Sequence, residues 1–190
     1  MHYHGVYHSF KIKNTMFWKK RSIIHRGNDD LFNKLENRFS SLKPDISWCR
    51  FLENVDTLGE RLANQFENAR SSFETMHNIL TQKFNKNEIT FGRYWDTASR
   101  SYSIILDQIA KIIPLLKNLD ETPAGKKSHY DFEKKELVET ILQRNEELIE
   151  KADILILELS KIKNIHGSSS EEVASILEDL KVLSDRTKNY

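Results

Sequence analysis

The sharpest chemical fragment in this 190-residue sequence is Glu74 with His77. A Glu-x-x-His step puts a carboxylate and an imidazole on one helix face, half of the ligand set that carboxylate-bridged di-metal centres use in helical bundles. The other half needs a second Glu-x-x-His and two further helix-borne glutamates, and no other histidine here has Glu three residues before it. His77 also sits beside Met76, a member of an apolar seam, so the pattern favours an interfacial histidine at a helix edge. His2, His4 and His8 are spaced closely enough to hold nickel, copper or zinc, but without ordered further ligands such binding is weak and adventitious. No metal-ligand set is assigned.

Cys49 is the one cysteine, which excludes an internal disulfide framework and a cysteine-based zinc or iron-sulfur site. No signature of a catalytic cysteine surrounds it, and Trp48 and Phe51 beside it suggest burial. The six glycines are scattered, none paired at dinucleotide-loop or P-loop spacing, and no cofactor motif is present. Phe91, Tyr94, Trp95 and Tyr102 beside Arg93 and Arg100 could line a ligand groove, but aromatics at helical spacing read first as core.

One segment differs in kind. Of 29 basic and 28 acidic side chains, residues 1–28 hold six basic and no acidic ones, leaving 23 against 28, net −5, in residues 29–190. Within that arm, Phe17, Trp18, Lys19, Lys20, Arg21 and Arg26 interleave aromatics with cations. An anionic membrane surface would take the rings at the interface and the cations at headgroups. Nucleic acid would take the cations at phosphates and the rings against bases. The third destination is the acidic remainder of the same chain. An acid-free basic start also resembles a transit peptide, though Ser and Arg are sparse. No apolar run nears the ~20 residues needed to cross a bilayer, and a cytoplasmic protein, peripheral at a membrane if the arm binds one, is the default expectation.

The elements that must position these groups are helices. The spine is a seam of Trp95, Ala98, Tyr102, Ile105, Ile109, Ile112, Leu116 and Leu119 at steps of three and four, widened by Leu106 and Ile113. It predicts a helix from about Glu88 to Leu119, central among neighbours and kinked at Pro114. Before it, a seam from Trp48 through Val55, Leu58, Leu62, Phe66, Phe73 and Met76 to Leu80 predicts a long helix starting at Pro44. Two adjoining four-residue steps at Leu58, Leu62 and Phe66 locally unwind its supercoil. Gly59 in this helix either admits a close backbone or is simply tolerated, and the spacing favours the second. Pro44 would end a short preceding helix that Asp29 or Asp30 caps and that carries Leu31, Leu35, Phe39 and Leu42.

Asn85 to Asn87 make a short, antiparallel turn into the spine, and Asp120 to Lys127 a loop out of it. A third long helix starts at Ser128, with Asp131 completing a capping box, and runs to Ile165. Its seam of Ile141, Asn145, Leu148, Ala152, Leu155, Leu159 and Ile162 has one polar member. Asn145 either fixes register or faces solvent at the seam's edge. Gly167 would cap that helix, and Ser169 with Glu172 would open the last one, which turns Val173, Leu177, Leu180 and Leu183 inward.

At ~1.5 Å per residue the three main helices span roughly 60, 48 and 55 Å, and the flanking ones about 20 and 30 Å. Placed end to end, the two short helices would complete a fourth rod. The fold class is therefore all-α: an elongated antiparallel bundle of three long helices, two shorter flanking helices and a basic N-terminal arm. The function that follows is a non-enzymatic protein-interaction or scaffold module with coiled-coil-like seams. A peripheral membrane adaptor attached through the arm is the alternative, and a helical metal protein or enzyme the second.

Overall fold

A computed structural model describes residues 28–53, 55, 57–86, 88–122, 128–162 and 171–188. They form five helices and no strands: α1 (28–49), α2 (Leu58–Lys83), α3 (Ile89–Glu121), α4 (His129–Lys161) and α5 (Glu171–Lys188). The predicted all-helical bundle is present.

The spine is α3. Its seam residues from Trp95 to Leu116 are fully buried, Leu119 is nearly so, and the helix continues past Pro114 to Glu121. An apolar arc wider than two positions per turn needs several neighbours. The helix has them, packing on α2, α4 and α5, while Arg38 of α1 donates to the Ser103 hydroxyl (2.8 Å) and to Asp107 (2.5 Å). Direction follows from such pairs. Arg61, Ser72 and Lys83 of α2 meet Glu146, Asp153 and Ser160 of α4 in the same order, whereas Ser72 and, just past α2, Phe84 meet Tyr102 and Tyr94 of α3 in the reverse order, so α2 and α4 run together, with α3 antiparallel to both.

The first helices depart from the predicted boundaries. Asn28 is already helical, so neither Asp29 nor Asp30 is the cap, and Asp29 instead pairs with Lys86 at 3.0 Å. Pro44 does not end α1. Leu35 and Phe39 before it and Ile46 and Cys49 after it lie buried on one face, and Lys117 of α3 binds Asp45 at 2.9 Å, so packing outweighs the missing backbone donor. α1 ends at Cys49 and α2 begins at Leu58; Leu52 and Val55 between them are buried, and the predicted long helix is cut in two.

Gly59 explains how that corner closes. A Cβ built there would lie 2.0 Å from the Cys49 carbonyl oxygen, so the close-approach reading holds and the tolerated-glycine reading is wrong.

The end-to-end fourth rod is also wrong. Arg38 of α1 lies against Ser103 and Asp107, while Ser184 and Thr187 of α5 meet Ser101 (2.8 Å) and Gln108 (3.0 Å). The two short helices thus flank the same stretch of α3 on different sides. Three rods α2, α3 and α4 have three outer grooves between them. α1 fills the α2/α3 groove, where Arg70 of α2 also binds Glu36 at 2.9 Å. α5 fills the α3/α4 groove.

At its start α4 carries the predicted capping box: the Ser128 backbone N–H and hydroxyl both donate to Asp131, at 2.8 and 3.0 Å. It ends at Lys161, short of Ile165. Gly167 and Ser169 lie outside the described residues, while Val173, Leu177 and Leu180 are buried as predicted and Leu183 half-buried.

Candidate functional site

Glu74 and His77 are not brought together as a site. Glu74 is exposed and accepts from Arg70 at 3.0 Å. His77 is half-buried between the Phe32 ring (4.2 Å between centroids) and the edge of Trp95 (5.1 Å). Burial, helped by the nearby Lys86 charge, holds its imidazole below the ordinary histidine range, the reverse of what a paired carboxylate would do. No group of three or more potential metal ligands occurs among the described residues.

The aromatic stripe is core. Phe91, Tyr94, Trp95 and Tyr102 are all buried, and Arg93 and Arg100 point outward, Arg100 onto Asp185 at 2.5 Å. Cys49 is fully buried, and burial pushes its thiol up to about 11, which suppresses the reactive thiolate. Its neighbours do not shield it, since Trp48 and Phe51 are 45% and 79% exposed. The Cys49 main chain lies against the corner that Gly59 closes. Phe17, Trp18, Lys19, Lys20, Arg21 and Arg26 lie outside the described residues, as do His2, His4 and His8.

What the sequence did not reveal is the third groove, between α2 and α4, which no helix of the described chain fills. Parallel packing of these helices is set by polar contacts. Asn145 of α4 is fully buried, so the solvent-edge reading is wrong; its amide donates to Gln65 of α2 at 3.0 Å, and Gln65 donates to the Leu142 carbonyl at 2.8 Å. Asn145 Oδ1 finds no donor among the described residues, the kind of cost that a register-fixing polar pair carries. Further along, the Ser72 hydroxyl bridges Tyr102 and Asp153, with the Tyr102 phenol held well above its ordinary range by full burial.

Above this floor the surface is concave. The lower part of the groove has a volume of about 740 Å³, and its upper part continues to Thr75 and Ser160, sharing Asn68, Ile149, Asp153 and Leu157. From Thr57 to Thr75 it follows α2 for ~27 Å. Ile149, Ile154 and Leu157 supply its apolar wall, and Leu157 is 55% exposed. Glu60, Glu150 and Asp153 give it negative charge; Glu60 and Glu150 have no ion pair among the described residues. Its one arginine, Arg61, is neutralised by Glu146 in a two-pronged pair at 2.8 and 2.7 Å.

A sequence signal for this wall exists in Ile154, Leu155, Ile156 and Leu157. Four consecutive apolar residues encircle a helix, so they cannot all face one seam.

Its one hydroxyl–carboxylate contact is Ser72 with Asp153, and among the described residues no imidazole, amine or thiol lines the groove beside it; what the surface offers is an apolar strip with acidic edges. No helix among the described residues is long and apolar enough to cross a membrane. No protein-family model, curated protein or solved structure matches this chain.

Proposed function

We propose that this bundle is a protein-interaction module without catalytic activity of its own, and that its docking surface is the α2/α4 groove. The observation that carries the reading is the groove's place in the fold. Two of the three outer grooves of the α2–α3–α4 frame are filled by helices, whereas the third keeps Leu157 exposed between acidic side chains. Its length and charge suit one segment with an apolar face and basic flanks, bound as a helix in a groove or as an extended strip.

The test compares capture by the full chain with capture by Leu157→Glu. Because Leu157 is mostly exposed, the substitution should shift stability by under ~0.5 kcal/mol while a charge enters the apolar wall. A partner that is lost from Leu157→Glu but retained by Ser175→Glu on the outer face of α5 supports the groove. Equal capture by both variants refutes it.

A second reading rests on the composition of the arm. Six cations without an acid, with Phe17 and Trp18 among them, suit peripheral attachment to an anionic membrane. Sedimentation with anionic and neutral vesicles tests it, and binding to neither ends it.

A further inference from the structure

We propose that the segment preceding Asn28 is the resident occupant of the α2/α4 groove, so that a partner gains this surface by displacing it. The inference rests on the docking reading above and adds its regulation.

Charge complementarity comes first. Residues 1–27 hold six cations and no acid, together with apolar side chains such as Phe10, Phe17, Trp18 and Ile24. The groove offers the converse: Glu60, Glu150 and Asp153 beside Ile149, Ile154 and Leu157, with its one guanidinium already neutralised by Glu146. Bringing the two together sets cations at the acidic edges and covers the exposed leucine.

Chain length and exit point agree. The described chain begins at Asn28, whose side chain donates to the Lys86 carbonyl (3.4 Å) and whose own carbonyl accepts from Trp95 (3.3 Å), at the upper end of α2. One turn earlier, Lys83 donates to the carbonyls of Ser160 (3.1 Å) and Ile162 (2.7 Å), and Ser160 lines the upper end of the groove. The chain therefore needs to cross one helix, ~10–12 Å, to enter. About four extended residues do this, and the ~27 Å groove then takes roughly eight residues if extended or 18 if helical. The 27 residues available cover either case.

The test is paramagnetic labelling of the full chain at Asn68→Cys, in the middle of the groove, against a control label at Ser175→Cys on α5. Cys49 stays unlabelled at neutral pH because it is buried. The expected result is loss of amide signal intensity for residues 1–27 with the groove label and not with the control. High salt should restore the intensity, and so should Glu60→Lys combined with Glu150→Lys. No loss with the groove label, or equal loss with both labels, overturns the proposal. The docking reading fails separately, if Leu157→Glu leaves partner capture unchanged; either result can occur without the other.

Discussion

Gly59→Ala separates two accounts of the same residue by the sign of its effect. In an ordinary helix, alanine gains up to ~1 kcal/mol over glycine. Here the new methyl carbon would lie 2.0 Å from the Cys49 carbonyl oxygen and 3.1 Å from its carbon, where contacts under 3.0 Å are essentially never found. One backbone must retreat by about 1 Å. The obstacle is main chain at the end of α1, attached to the buried Cys49 side chain, so no flexible tip can swing aside. Overpacking of a close-packed site costs ~1–3 kcal/mol, and an approach of 2.0 Å to main chain belongs in the upper half of that range, so subtracting the propensity gain leaves a net loss of roughly 1–2 kcal/mol. With a urea slope of ~2 kcal/mol/M, the unfolding midpoint should fall by about 0.5–1 M. The Cys49 thiol should also react faster with a maleimide as the corner opens. A midpoint that stays the same or rises would refute the close approach and return Gly59 to a tolerated glycine.

Three further substitutions test the packing. Ile109→Ala on the fully buried face of α3 should cost ~2–4 kcal/mol in urea unfolding, and a loss under ~0.5 kcal/mol would mean that this face is not core. Asn145→Leu removes the donor to the buried Gln65 oxygen and should cost ~1–3 kcal/mol, whereas Gln65→Leu with Asn145→Leu should recover most of it, because no polar atom is then stranded; a double variant no better than the single contradicts the pairing. His77 should make stability depend on pH. Its folded pKa lies below the ordinary histidine value of 6.5, so as pH falls from above 6.5 through the folded value the unfolded chain takes up its proton first and stability drops; His77→Phe should flatten the decline in the urea midpoint. An unchanged slope in that variant would place the effect on other groups.

The seam of α3 was legible because each of its large side chains repeats at steps of three and four and each is in fact buried. Ser128 with Asp131 was legible for a different reason: a capping box is local, so sequence distance and spatial distance coincide. Pro44 misled because its rule concerns one backbone hydrogen bond, while Phe39, Ile46 and Cys49 together bury enough surface to carry the helix through. The true break was written in the polar run Glu53-Asn54 and Asp56-Thr57 followed by Gly59, but the unbroken apolar spacing masked it. The third groove was the least legible feature. It depends on which helices neighbour which, and a parallel α2/α4 contact set by Gln65 and Asn145 joins residues 80 positions apart. Ile149 and Ile156, which lie off the seam, and the run Ile154 to Leu157 hinted that α4 has an apolar face beyond that seam.

The most direct test of the docking surface is a photoreactive residue placed at Leu157 in the full chain within its native cells, compared with one at Ser175. The account predicts discrete adducts from position 157, mapping to a partner segment or to residues 1–27 of the same chain, and none of these from position 175. No adduct at 157, or the same products from both positions, would contradict the claim that the α2/α4 groove is where this bundle is bound.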